Sequence, residues 1–302
     1  MIKKFENNKR PRPLVLVVLD GLGVHPPYNG NAVSLAKTPF IDSLITEYPA
    51  TTLRASGESV GLPWGEPGNS EVGHLTLGLG RILYQDLPRI NKEISDNSFY
   101  KNSALKAAVQ HVKTNNSKLH IMGVVSNGCV HASIDHLYAL LILAKQNNLD
   151  RVYIHAILDG RDSPYDSGIN FLKGIKHSIK ENDIGDIATI SGRFYTMDRN
   201  NNWDRVAKAY SAMVYGAGNS EKDPIEAIKK SYKKKIYDEE FVPTVIVENG
   251  QPVARIDDND AVIFYNYRPD RARQITKAFV GPAVDKFKRQ KRLNNLFFVG
   301  FT

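Results

Sequence analysis

The chain has 302 residues, 42% of them hydrophobic and 24% charged, which is the composition of a globular protein with a sizeable core and excludes a fibrous or disordered one. At roughly 100–200 residues per domain, one large or two ordinary domains are expected. A formal charge of +8 raises nucleic acid or a membrane surface as partners, and the single cysteine, Cys129, excludes an internal disulfide and fits a reducing compartment.

The N-terminal MIKKFENNKRPRP is basic but is followed by only six apolar residues, LVLVVL (14–19), before Asp20. That run is too short for a signal sequence or a membrane span, so a cytoplasmic protein with no membrane partner is expected. LVLVVL has the look of a buried strand. Thr38 and Pro39 then open a helix, with Phe40, Ile41, Leu44 and Ile45 on one face. Residues 57–80 form a long glycine-rich stretch, expected to be a functional loop, with Ser70 in a segment too rich in glycine for a helix. Trp64, Val72 and Leu75 within it argue against disorder. The composition shifts near YQDLPRIN (84–91), a candidate domain boundary.

Beyond it, apolar runs alternate with helix-period segments. LHIMGVV precedes IDHLYALLILAKQNN, and VYIHAIL precedes SGINFLKGIKHSIKEN. IATIS precedes WDRVAKAYSAMVYG, and AVIFYNY precedes RARQITKAF; NNLFFVGFT is a last strand. The alternation predicts an α/β fold of mainly parallel sheets with helices on both faces. Two basic runs, KKSYKKK (229–235) and KFKRQKR (286–292), lack any zinc-ligand spacing or basic–aromatic stripe. They read as solvated faces, so no nucleic-acid partner is expected.

Ligands of open α/β sheets bind at the carboxyl ends of the strands. The residues leaving those ends are Asp20, His131, the tetrapeptide Asp159-Gly160-Arg161-Asp162, Arg193, then Asp198 and Arg199, and finally Arg268, Asp270, Arg271 and Arg273. Arginine suits bidentate contact with carboxylate or phosphate, so this cluster points to a small ligand with more than one anionic group. The plainer reading pairs these arginines with neighbouring aspartates. Ser70 is not a nucleophile elbow, which requires Gly-x-Ser-x-Gly; an unassisted serine hydroxyl needs a base or a metal. Asp20 favours a hard divalent cation, and Asp20 with Ser70 makes half of a metal-activated phosphoryl-transfer site. Asp20-Gly21 as a simple turn is the alternative, and whether His74 faces Ser70 is not legible.

VVLDGLGV, PGNSEVGHLTLGLGR, ILDGRDSP, SGRFYTMDRNNNWDR and FYNYRPDRARQIT together resemble the cofactor-independent (2,3-bisphosphoglycerate-independent) phosphoglycerate mutases, from about residue 13 to the end. The resemblance implies an alkaline-phosphatase-like domain carrying an inserted substrate-binding phosphotransferase domain. Residues 1–84 would be the N-terminal segment of the first, and 85–302 a nearly complete second. It implies a glycolytic isomerase that interconverts 3- and 2-phosphoglycerate through a phosphoserine at Ser70. Two divalent metals are implied, manganese in many members or else magnesium, with no 2,3-bisphosphoglycerate and a monomeric full-length protein. Asp20 and Ser70 match metal-site positions. His131, Arg161, Asp162, Arg193, Arg199, Arg268 and Arg271 match substrate-binding positions.

Two departures stand out. The family's Gly-Gly-Val-His-Ser-His reads Gly128-Cys129-Val130-His131-Ala132-Ser133 here, without the second histidine. The sequence also stops at Thr302, before the segment in which the family's other metal ligands and a phosphate-contacting lysine lie, so the chain alone is expected to be inactive. A non-catalytic phosphoglycerate-binding fragment and a metal-dependent phosphohydrolase of the alkaline phosphatase superfamily are the competing readings.

Overall fold

The computed structural model describes residues 13–282 and 289–301, which leaves most of the basic N-terminus and residues 286–288 of the second basic run outside the described residues. The chain divides into two compact units, 1–85 and 86–302.

Among the described residues of the first unit, α1 (Ala32–Leu35), α2 (Pro39–Glu47) and α3 (Ser70–Leu79) are the α-helices. Pro39 at the first helical position starts α2, but Phe40 and Ile45 on its apolar side stay largely exposed. LVLVVL is not a strand. A strand needs a neighbour for its backbone groups, and none is present among the described residues, so Leu14, Val15, Leu16 and Val17 are all more than 70% exposed. The glycine-rich stretch is also more structured than its composition suggests. A 3₁₀ turn, Gly57–Val60, precedes α3, and Val60, Leu62 and Val72 close a small buried cluster, while Trp64 is exposed.

Ser70 therefore opens a helix rather than lying in a loop. The Asn69 side chain accepts from Val72 N at 2.9 Å, Glu71 sits in the first turn, and Gly80 ends the helix at φ 64°. A strong N-cap and a glycine C-cap outweigh the roughly 1 kcal/mol that each interior glycine costs.

The second unit starts with α4 (Asp86–Ser95) and α5 (Ser103–Asn115). It continues through β1 (Leu119–Val124), α6 (Ile134–Gln146), β2 (Val152–Leu158), α7 (Gly168–Asn182) and β3 (Asp186–Gly192). Then come α8 (Arg193–Thr196), α9 (Trp203–Tyr215), β4 (Asn219–Glu221) and α10 (Pro224–Lys233). The last elements are β5 (Thr244–Glu248), β6 (Gln251–Pro252), β7 (Ala261–Phe264), α11 (Arg273–Val280) and β8 (Phe297–Gly300). The strands form one sheet in the order β4-β5-β3-β2-β1-β7-β8, with β6 paired to β5. All pairs are parallel except β3–β5 and β5–β6.

The central strands are apolar runs buried on both faces, as a helix-covered parallel sheet requires. α4, α6, α7 and α10 meet in succession, and α9 packs on α11 as a separate pair. The β5–β6 hairpin carried a legible signal that the alternation reading missed. Asn249-Gly250, at φ 51° and 78°, is the Asn-Gly turn that favours a two-residue hairpin.

From β1 the chain steps outward to β2 and β3, then returns to β7 on the other side of β1. The carboxyl ends of four adjacent parallel strands thus share one edge, and the order reverses between β1 and β7, the topological switch point of such a sheet. Beneath that edge, His120 Nδ1 and His155 Nε2 lie 2.9 Å apart, His155 Nδ1 meets Thr189 Oγ1 at 2.8 Å, and His120 Nε2 meets Asp260 at 3.2 Å. This buried polar ladder ties β1, β2 and β3 to the start of β7.

Gly123 in β1 is a close-approach glycine: a Cβ there would lie 2.5 Å from ring atoms of the fully buried Tyr265. Gly123→Ala is expected to cost about 1–3 kcal/mol through overpacking. A urea midpoint equal to that of the parent chain would show that the Tyr265 ring yields freely.

Candidate functional site

The second unit assembles its site from four loops at the shared strand edge. After β1, Ser126 Oγ donates to Asp159 Oδ2 at 2.7 Å, fastening the first loop to the one that leaves β2. The loop then carries His131, whose carbonyl accepts from Tyr267 N at 2.9 Å, while Tyr267 Oη donates to Cys129 O at 2.5 Å. The end of β7 is thereby clipped to the end of β1 across the switch point. After β2, the backbone N–H groups of Arg161 and Asp162 turn back onto Asp159 Oδ1 at 3.4 and 3.1 Å.

Arg193, the first residue beyond β3, has 3% of its side chain exposed and donates from Nη1 to both Asp159 and Asp162 at 2.5 Å. Farther along, the buried Asp198 carboxylate gathers Asn200 N, Asn202 N and the Gln274 amide at 2.9–3.0 Å, which folds the loop that presents Arg199. Arg199 and Arg268 both meet Asp270, at 2.6 and 3.1 Å. Arg271 donates to Met197 O at 3.2 Å, and Arg161 meets Glu239 at 3.2 Å.

The seven expected substrate-binding residues therefore share one network. Its acidic members other than Asp162, namely Asp159, Asp270 and Glu239, lay outside that expectation. Asp159 follows β2 directly and Asp270 lies in the loop after β7, so both were visible in the sequence; Glu239 follows α10 and carries no local signal. Burial, with the charges of Arg193, Arg199 and Arg161, pushes the Arg271 guanidinium below its ordinary value, as expected of converging cations. Arg273 is exposed at the start of α11.

His131 is buried between two acids, its Nε2 3.9 Å from Asp162 and its Nδ1 3.7 Å from Asp270. Burial first, and the Arg193 charge second, lower it to about 4, so near neutrality it is an uncharged imidazole. Among the described residues His131 Nδ1, Arg193 Nε and Asp270 Oδ1 are buried without a hydrogen bond. Asp270 Oδ1 still has the Arg268 Nε charge at 3.1 Å. Buried polar atoms are nearly always satisfied, so His131 Nδ1 and Arg193 Nε are the two groups that a polar ligand would satisfy.

In the first unit, Ser70 Oγ donates to Asp20 Oδ2 at 2.8 Å, and His74 Nδ1 lies 3.2 Å from the same hydroxyl and 2.8 Å from Ser70 O. His74, one turn along α3, thus faces Ser70. Asp20 and Ser70 offer two hard oxygen donors side by side, which suits part of the coordination of a divalent cation. Among the described residues no group of three or more His, Cys, Asp or Glu is placed to hold a metal ion.

A family model described as the BPG-independent PGAM N-terminus matches residues 90–302. The chain belongs to this family. Named members, the 2,3-bisphosphoglycerate-independent phosphoglycerate mutases, include that of Clostridium perfringens ATCC 13124, 53% identical over 280 residues, covering 93% of this chain and 55% of that protein. The Moorella thermoacetica member is 50% identical over 291 residues, 96% of this chain and 57% of the other. Among solved structures, a Leishmania mexicana phosphoglycerate mutase studied at low cobalt concentration superposes with a TM-score of 0.72 at 31% identity, covering 94% of this chain and 53% of its own. The chain spans about half the length of the curated relatives it matches. Family and α/β fold are those the motifs implied.

Two outcomes test this geometry. Arg193→Ala leaves the buried Asp159 and the partly exposed Asp162 without their cation and is expected to cost about 3–5 kcal/mol, read as a lower denaturant midpoint; an unchanged midpoint would mean that the pair with Asp159 is not buried. His131 and His136 are both lowered to about 4 from an ordinary 6.5, so the unfolded chain takes up these protons first. Their stabilisation is complete above pH 6.5 and is lost as pH falls toward 4. Unfolding free energy should decline across that window, and His131→Asn should flatten the decline; an equal slope in the variant would contradict the neutral buried imidazole.

Proposed function

We propose that the chain serves the interconversion of 3-phosphoglycerate and 2-phosphoglycerate through a phosphoserine at Ser70, independently of 2,3-bisphosphoglycerate. The observation that carries this reading is the cluster of Arg161, Arg193, Arg199, Arg268 and Arg271 around a neutral His131 with unsatisfied buried polar atoms. Such a site suits an acid with a carboxylate, a phosphate and neighbouring hydroxyls. The names of the relatives support the same substrate.

On this reading Asp20 draws on the Ser70 proton as Oγ attacks phosphorus. The Ser70 O–P bond forms, the C3 oxygen–phosphorus bond breaks, and the C3 oxygen takes up a proton. Ser70 lies at the positive end of α3, which favours the anionic group. The arginines retain glycerate, and Asp162 holds its hydroxyls. The C2 oxygen then attacks phosphorus and loses its proton, the Ser70 O–P bond breaks, and Oγ recovers its proton from Asp20. Asp20 and Ser70 would hold a divalent metal, manganese or magnesium, which lowers the cost of the serine alkoxide. Retention of the acid by the arginines favours transfer over hydrolysis.

By itself the chain is not expected to turn over. Two oxygen donors hold a divalent ion weakly, and the apolar residues that the first unit leaves exposed fit a segment that packs against further sequence, as half of each relative's length would provide. An enolase-coupled assay with manganese and no 2,3-bisphosphoglycerate should show no Ser70-dependent activity in the isolated chain. A chimera completed with the remainder of the Clostridium perfringens relative should be active, and Ser70→Ala in it should lose about a thousandfold or more. Undiminished turnover in that variant would remove the phosphoserine; Ser70-dependent turnover by the isolated chain would remove the inactivity.

A further inference from the structure

We infer that Glu239, set on a buried anchor at Asp238, is a positioning residue that holds Arg161 ready for the anionic substrate. This inference rests on the phosphoglycerate reading of the site. Segment 237–241 follows α10 and is remote in sequence from every strand-end loop, yet it lies directly beneath two of them.

The anchor is Asp238, 1% exposed. Its carboxylate accepts from Gly168 N at 2.7 Å and Tyr232 Oη at 2.5 Å, and its own N–H donates to Tyr165 O at 3.0 Å. The backbone around it then forms the floor of the site. Gly192 N donates to Phe241 O at 2.7 Å, and Phe194 N donates to Glu239 O at 3.0 Å, so the segment brackets the turn that delivers Arg193. A Cβ at Gly160 would lie 2.6 Å from Glu239 N and 2.9 Å from Asp238 Cβ, and one at Gly192 would collide with Glu239 O. The glycines immediately before Arg161 and Arg193 are therefore the points where segment 237–241 makes its closest approach.

From this fixed backbone Glu239 Oε1 meets Arg161 Nη1 at 3.2 Å. The neighbouring cations have their own tethers: Arg193 at Asp159 and Asp162, Arg199 and Arg268 at Asp270, and Arg271 at the Met197 carbonyl. Arg161 is the most exposed of these, at 57%, and it faces the like charge of Arg271. A free arginine must be ordered when a ligand binds. The Glu239 carboxylate orders it beforehand while leaving most of its fork open, which lowers the cost of binding.

The test titrates 3-phosphoglycerate into the 302-residue chain and into Arg161→Ala, Glu239→Ala and the double variant, with dissociation constants from ligand-detected NMR and folding checked by circular dichroism. Glu239→Ala is expected to weaken binding about threefold to tenfold, the range for ordering one long side chain. The loss should vanish in the Arg161→Ala background, which a merely structural role would not produce. Glu239→Gln, which keeps the shape, should weaken binding in the same direction. Unchanged or tighter binding by Glu239→Ala, or an equal loss with Arg161 absent, overturns the inference and leaves the proposed function standing. Absence of any effect of Arg161→Ala, or of binding by the parent chain, overturns both.

Discussion

A guanidinium with 3% of its side chain exposed cannot stand alone in a protein interior, and the carboxyl ends of β1, β2 and β3 are organised around that requirement. Arg193 needs two acids, and Asp159 and Asp162 supply them from one tight turn. That turn needs Gly160 at φ 67°, a conformation open to glycine and costly for a side chain. Asp159 in turn takes the Ser126 hydroxyl, which fixes the path of the loop ahead of His131. The positions of three loops thus follow from neutralising one buried charge.

The same logic resolves an ambiguity in the arginine cluster. Pairing with neighbouring acids and binding an anionic ligand are alternatives only if the acids consume the whole fork. They do not. Arg193 engages both acids through a single terminal nitrogen and keeps Nε without a hydrogen bond. The acids hold the cations in place against their mutual repulsion, and the open donors remain for a ligand. His131 fits this balance as a neutral group, because a further positive charge beside Arg193 would be repelled and its burial resists protonation.

The first unit follows a different economy. The Ser70 constellation combines two local interactions, an asparagine cap and a histidine one turn along the helix, with one aspartate 50 residues earlier in the chain. Such a site forms without a large core. The surrounding apolar residues do need one, and Leu14 to Val17 stand exposed where a strand would otherwise be covered.

The sequence by itself determined the elements whose signals are local: five strands of the second unit, the helices that follow four of them, and the arginines that leave the strand ends. Apolar runs and helix-period faces specify these through contacts within a few residues of one another. The family was legible for the same reason, since its motifs are short contiguous stretches, three of them at the ends of β2, β3 and β7. What was not legible depended on partners distant in the chain. LVLVVL has the composition of a strand, but strand formation is decided by a neighbour. PGNSEVGHL is the exception, because its helix cue is local: the Asn69 side chain caps Val72 N, a signal that its glycines obscured. Only the tertiary structure decided that Asp270 would gather Arg199 and Arg268, and that segment 237–241 would underlie the turns before Arg161 and Arg193. Sheet order and close packing of backbone at glycine positions bring these groups together, and neither quantity is written in any short stretch of sequence.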